Sequence, residues 1–209
     1  MADSRLVMVE GADDLHVLTN LCMRHGVPKS FKIESNEGKP TVLDVFSTRL
    51  LLSKPDDIVG LVMDANGSLE RSWQSVRDRL ADRGYDSVPS APDAAGIIID
   101  PPPNTILARV GVWLMPNNRD GGALEDFLLA LMPNESALRD HARESIDRIP
   151  PELRLFTEPK HSKALMHTYL AWQENPGRPY GTAIKAGYLD ANAPPALALV
   201  DWIKRLFGS

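Results

Sequence analysis

Acidic residues follow three apolar segments of this sequence, and their types and spacing are those of ligands for a hard cation. The candidate ligands are, in chain order, Glu10, Asp14, Asp64, Asn66, Glu125 and Asp126. Carboxylate and amide oxygens are the ligands that Mg²⁺ and Mn²⁺ take in proteins, usually together with waters and substrate phosphates. Bound ions of this kind stabilise the attacking and leaving oxygens of a phosphoryl displacement. The six residues therefore predict a Mg²⁺ or Mn²⁺ site suited to phosphodiester chemistry.

The same turns have an ordinary structural interpretation. Acids and hydroxyls at the start of a helix satisfy its free N–H groups and favour its dipole, as Asp13, Ser68 and Asp120 would here. One acidic turn taken alone favours this capping role. Three acidic turns at one edge of a sheet favour a shared site, because the carboxyl ends of parallel strands lie together and commonly hold ligands.

The elements that must position these acids alternate between strands and helices. Predicted strands cover Arg5–Val9, Phe31–Ile33, Ile58–Asp64, Ile97–Ile99 and Ala108–Met115. Helical spacing marks the segment before Gly26, the segment Val42–Leu52, the apolar positions from Leu69 to Leu80 and those from Leu124 to Leu131. This alternation predicts an α/β fold, with a mainly parallel sheet flanked by helices.

Beyond Pro133 the pattern is helical only, with predicted helices at Glu135–Ile149, His161–Glu174 and Pro195–Phe207. We therefore divide the chain into an α/β core, residues 1–133, and a helical C-terminal extension, residues 134–209, packed on the same domain.

Composition limits the partners and the compartment. The net charge of −5 provides no overall positive field for nucleic acid or an anionic membrane, so a phosphate substrate needs a local basic patch or a bound metal. The single cysteine, Cys22, favours a reducing compartment. No apolar run approaches the roughly 20 residues of a spanning helix. We expect a soluble cytoplasmic protein, with no membrane partner, no P-loop and no Gly-x-Gly-x-x-Gly motif.

Several of these segments resemble TOPRIM domains. VEGADD, ending at Asp14, resembles their first motif, and VMDAN, ending at Asn66, resembles their second, which is usually Asp-x-Asp. GVWLMPNNRDGGALEDFLL and KALMHTYLAWQENPGRPYGTAIKAGYLD are similar to small stand-alone TOPRIM-like proteins of unknown function. The LED element resembles the branch of the nucleases named for overcoming lysogenization defect. The resemblance spans nearly the whole chain and implies a TOPRIM-like fold.

The resemblance to TOPRIM domains implies roles for individual residues of these motifs. Glu10, Asp14, Asp64 and Glu125 would be metal ligands. Asn66 departs from the usual aspartate, and its neutral amide would weaken the site. Lys163, at the start of a helix, would stabilise charge that builds on a phosphate in the transition state. No topoisomerase-type nucleophilic tyrosine is present in a matching context at Tyr85, Tyr169, Tyr180 or Tyr188.

The sequence thus predicts a divalent-metal-dependent phosphodiesterase or nuclease acting on nucleic acid, with Glu10 and Lys163 as its catalytic residues. A second hypothesis is a non-catalytic TOPRIM-like binding or regulatory module that works through a protein partner. Asn66 and the negative net charge favour that alternative. A third is hydrolysis of a small phosphate compound, which predicts metal binding without affinity for DNA.

Overall fold

The structure is a computed structural model that describes residues 4–36 and 42–208. Its strands are β1 Arg5–Val9, β2 Lys32–Ser35, β3 Ile58–Asp64, β4 Ile97–Ile99 and β5 Arg109–Met115. Its helices are α1 Ala12–Arg24, α2 Val42–Leu51, α3 Leu69–Ala81, α4 Leu124–Leu129, α5 Ala137–Asp147, α6 His161–Ala171, α7 Tyr180–Ala186 and α8 Pro194–Phe207, with a 3₁₀ turn at Glu158–Lys160. In these described ranges no helix is long and apolar enough to cross a membrane.

The strands form one five-stranded sheet in the order β2-β1-β3-β5-β4. β1 pairs in parallel with β2 and β3, β3 pairs in parallel with β5, and among the described strands only the edge strand β4 is antiparallel. The predicted α/β fold with a mainly parallel sheet is therefore confirmed. From β1 the chain crosses first to β2 on one side and then to β3 on the other, which makes β1 and β3 the switch point where such sheets bind ligands.

The sheet separates two apolar cores, because successive side chains of a strand point to opposite faces. Leu6 and Met8 of β1 pack in the core that α2 and α3 cover. Val7 and Val9 pack in the other core, which α1 shares with the C-terminal helices α4 to α8. The C-terminal helices thus bury their apolar sides against the same sheet as the α/β segment.

A pair of glycines allows α8 to lie close against the sheet. Gly60 of β3 and Gly111 of β5 are partners in the strand register. A Cβ atom at Gly111 would lie 2.5 Å from the Leu206 side chain, which is closer than atoms can approach. Because both glycines lack side chains, they leave a groove that Leu206 fills, so α8 covers the face of β3 and β5.

The predicted elements and the observed ones differ mainly at their ends. β3 and β4 have the predicted bounds, whereas β2 is displaced from Phe31–Ile33 to Lys32–Ser35, and α6 ends at Ala171 instead of Glu174. One helix, α7, was not predicted, since its seven residues are too few to show a period. It packs closely on α1, where a Cβ at Gly181 would lie 2.7 Å from the His16 carbonyl oxygen.

Candidate metal centre

Two of the predicted ligands end the two central strands. Glu10 directly follows β1, and Asp64 is the last residue of β3. The backbone N–H of Asp64 donates a hydrogen bond of 3.0 Å to Oε1 of Glu10. Burial raises the pKa of Glu10, and this hydrogen bond offsets part of the rise. The parallel pairing of β1 with β3 therefore brings these two acids together at the switch point, as the sequence predicted.

Asp14 reaches the same place from the first turn of α1. Gly11 precedes that helix and has no side chain to cap it, so Oδ2 of Asp14 accepts the Gly11 N–H at 3.2 Å. The other oxygen, Oδ1, is buried and has no hydrogen-bond partner among the described residues. Only 7% of Asp14 is exposed. Burial, and next the charge of Glu10, raise the pKa of Asp14 to about 7.

Asp64 links the sheet to the helix that carries the third acidic segment. Its Oδ1 accepts the backbone N–H of Leu124, the first residue of α4, at 3.0 Å. Burial raises the pKa of Asp64 to about 8, with further contributions from the charges of Glu10, Asp14 and Glu125. We call Glu10, Asp14, Asp64 and Glu125 the acidic cluster, because the charges of the other three act on Asp64.

A close approach between two turns positions α4. The N–H of Asn66 donates to the Gly122 carbonyl at 2.7 Å, which forms an isolated bridge between the β3–α3 and β5–α4 turns. A Cβ at Gly121 would lie 2.8 Å from the Asn66 carbonyl oxygen. The glycine pair in NNRDGG therefore allows the β5–α4 turn to lie against the end of β3. This approach places the Leu124 N–H within hydrogen-bond distance of Asp64.

Glu125, the second residue of α4, lies in a network that the sequence predicted only in part. Lys163 at the start of α6 donates from Nζ to Oε1 of Glu125 at 2.9 Å, which raises the pKa of Lys163. The Tyr180 hydroxyl donates to the same oxygen at 3.5 Å and lies 3.1 Å from Nε2 of His167. Burial and the charge of Glu125 raise the pKa of the Tyr180 phenol. Tyr180 and His167 were not predicted as site residues, because Tyr180 opens the unpredicted helix α7.

Two predicted ligands have other contacts. Asp126 uses both of its carboxylate oxygens: Oδ2 accepts the Ala123 N–H at 2.8 Å, and Oδ1 accepts the Ser162 hydroxyl. Asn66 is exposed, has φ 50°, and donates its amide to the carbonyl of Asp64 at 3.4 Å. Asn tolerates this left-handed backbone better than most residues. Asp126 thus caps α4 and joins it to α6, and Asn66 shapes a turn.

The cluster has the chemistry of a cation site, but its carboxylates are spaced more widely than in a closed coordination shell. Among the described residues, no group of three or more His, Cys, Asp or Glu side chains is gathered closely enough to hold a metal ion. Mg²⁺ is commonly held by one or two carboxylates with waters and substrate oxygens completing its octahedron. The unpartnered Oδ1 of Asp14 and the mutual repulsion of four acids fit a cation in that mode.

Residues 4–208 match the family described as a protein of unknown function (DUF3226), so the chain belongs to that family. No curated protein and no solved structure matches the chain.

Proposed function

We propose that the protein is a Mg²⁺- or Mn²⁺-dependent phosphodiesterase or nuclease that acts on nucleic acid through a TOPRIM-like acidic site. The observation that carries this proposal is the meeting of Glu10 and Asp64 at the switch point of the sheet beside Asp14, which has a buried oxygen with no hydrogen-bond partner among the described residues. A buried, unpaired carboxylate is costly to a fold and is retained where it has a ligand or a catalytic role. The resemblance of VEGADD and the LED element to TOPRIM nucleases supports phosphodiesters as the substrates.

The proposed ligands are Glu10, Asp14, Asp64 and Glu125, of which one or two would bind the cation directly, because no three of them are gathered closely enough among the described residues. A divalent cation held by these residues would supply Lewis acidity toward a phosphate and would lower the pKa of a bound water. Asp126 is left out of this set, because the Ala123 N–H and the Ser162 hydroxyl already occupy its two oxygens.

The chain's own groups orient the site and stabilise charge within it. The Asp64 N–H holds Glu10 in place, and the Leu124 N–H holds Asp64, so two backbone bonds fix the ligands at both strand ends. The side chain of Lys163 is 52% exposed, which leaves its ammonium group accessible to a phosphate oxygen beside Glu125. A fixed positive charge at that place stabilises the charge that builds on phosphate in the transition state.

Tyr180 has a different role from Lys163. Its phenol is protonated at neutral pH, as that of an ordinary tyrosine is, and the hydroxyl donates to Glu125 at 3.5 Å, which orients that carboxylate. A protonated phenol is a poor nucleophile. The proposal is therefore hydrolysis by water and not transfer through a tyrosyl intermediate.

The experiment is a cleavage assay on single- and double-stranded DNA and RNA with Mn²⁺, comparing the parent protein with Asp64→Asn. The asparagine keeps an acceptor for the Leu124 N–H but removes the charge, so we expect a folded variant without activity. Asp201→Asn, which changes an exposed acid on α8, is the matched control and should cleave normally. Activity that persists in Asp64→Asn would contradict the proposal.

A second candidate is a regulatory module that keeps the fold and works through a protein partner. Two observations favour it: the exposed Asn66 replaces a charged ligand, and no three potential ligands are already gathered among the described residues. This candidate predicts no cleavage of nucleic acid in the parent protein and no change of stability when Mn²⁺ is added.

A further inference from the structure

His167 lies beside the acidic cluster but does not belong to the proposed ligand set. It follows Lys163 by four residues on α6, so the two side chains lie on the same side of that helix, and both are exposed. Lys163 bonds directly to Glu125, whereas Nε2 of His167 lies 3.1 Å from the Tyr180 hydroxyl. The contact of His167 with the metal site therefore runs through Tyr180.

Packing holds the Tyr180 side chain in place. Only 2% of Tyr180 is exposed. The next residue, Gly181, lies so close to α1 that a Cβ there would be 2.7 Å from the His16 carbonyl oxygen. The ring of Tyr180 lies against that of His167, with centroids 5.4 Å apart. The hydroxyl is thus fixed near two acceptors, Oε1 of Glu125 at 3.5 Å and Nε2 of His167 at 3.1 Å.

The Tyr180 hydroxyl has one hydrogen, so it donates to one of these two acceptors at a time. Donation to His167 would turn the lone pairs of the phenol oxygen toward the carboxylate of Glu125, which is repulsive. Donation to Glu125 satisfies a charged acceptor, and hydrogen bonds to charged groups are the stronger ones. Glu125 is also the ion-pair partner of Lys163. The charge of Glu125 therefore directs the hydrogen of Tyr180 toward Oε1.

The direction of this hydrogen determines the tautomer of His167. A hydroxyl that donates to Glu125 still has lone pairs, so it accepts a hydrogen bond from Nε2–H of His167. In a neutral imidazole only one ring nitrogen has a hydrogen, and its partner selects which one. Nε2–H thus donates to the hydroxyl and the hydroxyl donates to the carboxylate. Hydrogen bonds in such a chain polarise and strengthen one another.

The donors lie on one oxygen of Glu125 and leave the other for a cation. Lys163 donates from Nζ to Oε1 at 2.9 Å, and the Tyr180 hydroxyl is near the same atom. Oε2 accepts no hydrogen bond from the described residues. The side chain of Glu125 is only 13% exposed, so these donors hold a carboxylate that has little freedom of its own.

We propose that His167 is a positioning residue that acts through Tyr180 and holds Oε1 of Glu125, so that Oε2 is presented to the cation. We call His167, Tyr180 and Glu125 the relay. Its importance for cleavage rests on the phosphodiesterase function proposed above. The hydrogen bonds of the relay belong to the metal-free protein and are tested without any activity.

The direct test is nitrogen NMR of the metal-free full chain with isotope-labelled histidines at about pH 8.5, where an ordinary imidazole is neutral. The protonated and the bare ring nitrogen have distinct chemical shifts. We expect His167 to have its proton on Nε2. His141, exposed on α5 and without a hydrogen bond to its ring from the described residues, is the internal comparison and should show a mixture of both tautomers. A proton on Nδ1 of His167, or the mixture seen at His141, would overturn the proposal.

Tyr180→Phe removes only the hydroxyl and tests whether Tyr180 selects the tautomer. In this variant the signals of His167 should shift to the mixture found at His141. A tautomer that is unchanged in Tyr180→Phe would overturn the proposal, because His167 would then be held by another group.

Kinetics of Mn²⁺-dependent DNA cleavage measure what the relay contributes to the site. His167→Leu removes the donor and should lower kcat about tenfold without changing KM, as is typical when a group that orients a ligand is lost. His167→Gln keeps an N–H donor and should remain within about threefold of the parent protein. Equal losses of kcat in His167→Leu and His167→Gln would overturn the proposal, because the hydrogen-bond donor would then be irrelevant.

A double variant tests whether His167 and Tyr180 act together. Tyr180→Phe alone should also lower kcat about tenfold, and its combination with His167→Leu should be no slower than either single variant. Losses that multiply to about 100-fold would overturn the relay, since residues that act independently have additive effects on free energy.

The spectra and the kinetics separate this proposal from the proposed function. Absence of cleavage by the parent protein would contradict the nuclease, and the tautomer of His167 would still decide the relay. Cleavage by the parent with the same kcat in His167→Leu would overturn the relay and leave the nuclease standing.

Discussion

The helices α1 and α4 begin in the same way, yet their acids have different surroundings. Each helix follows a residue without a capping side chain, Gly11 or Ala123, and has an acid at its second position and an aspartate at its third. In both, that aspartate accepts the N–H of the residue before the helix. The second oxygen of Asp126 accepts the Ser162 hydroxyl, whereas that of Asp14 is buried without a partner among the described residues.

This difference shows that one local motif can leave its aspartate in two different environments, according to what the rest of the fold places beside it. α6 supplies Asp126 with a hydroxyl, so that aspartate is used entirely for structure. Glu10 and Asp64 lie near Asp14, so the second oxygen of Asp14 has negative charge beside it and not a hydrogen-bond donor. A cation would complete the α1 turn in the way that Ser162 completes the α4 turn.

The largest expected effect that sharpens this comparison is the pH dependence of metal binding. Asp14 and Asp64, with pKa values of about 7 and about 8, must lose their protons before they can bind a cation. The affinity for Mn²⁺ should therefore fall about 500-fold between pH 8 and pH 6. Calorimetric titrations at several pH values measure this change. An affinity that is constant across this range would mean that these two carboxylates do not bind the ion.

The next effect separates the two aspartates by their contributions to stability. Asp126→Ala loses the bonds to Ala123 and Ser162 and should lower the free energy of unfolding by about 2 kcal/mol. Asp14→Ala loses a similar cap but also removes a buried unpaired carboxylate, so its net effect should be close to zero. Urea unfolding in EDTA measures both values. Equal losses of unfolding free energy in the two variants would show that Asp14 and Asp126 have the same structural role.

A smaller effect concerns the cost of keeping Asp64 charged. Its pKa rises from 3.8 to about 8 on folding, so the folded chain holds the proton more tightly than the unfolded chain. Its contribution to stability is therefore complete below pH 3.8 and is lost as the pH rises through 8. Asp64→Asn removes this cost, and we expect a gain of about 1 to 2 kcal/mol in metal-free protein at pH 8.5.

The gain from Asp64→Asn should shrink as the pH falls toward 4, and urea unfolding at several pH values follows it. Added Mn²⁺ should stabilise the parent protein and leave Asp64→Asn unchanged. A variant that is less stable than the parent at pH 8.5 would show that Asp64 has a structural role like that of Asp126.

The smallest effect is expected at the ion pair of Lys163 with Glu125. The lysine neutralises a proposed ligand, so Lys163→Met should tighten Mn²⁺ binding about threefold; the effect is small because the half-exposed ammonium group is partly screened by water. Cleavage by this variant should nevertheless slow, since the positive charge beside the phosphate is gone. Lys160→Met, three residues earlier, is the control. Weaker Mn²⁺ binding in Lys163→Met would contradict this account of the pair.

The sequence predicted where the acids meet but not how each one is used. Apolar runs ending in Glu10 and Asp64 indicate strand ends, and parallel pairing then requires that both acids lie at one edge. The partner of Asp126 could not be predicted, because Ser162 lies 36 residues away and approaches only when α6 packs on α4. The contact of Tyr180 with Glu125 could not be predicted for the same reason, since the place of Tyr180 depends on how α7 packs against α1.

The most direct test of the cation site is a calorimetric Mn²⁺ titration of the parent protein beside Asp14→Asn and Asp126→Asn. The two variants carry the same change at the same helical position. We expect binding in the parent, at least tenfold weaker binding in Asp14→Asn, and parental binding in Asp126→Asn. No binding in the parent protein, or equal losses in the two variants, would contradict the claim that the unpartnered carboxylate of α1 is a metal ligand.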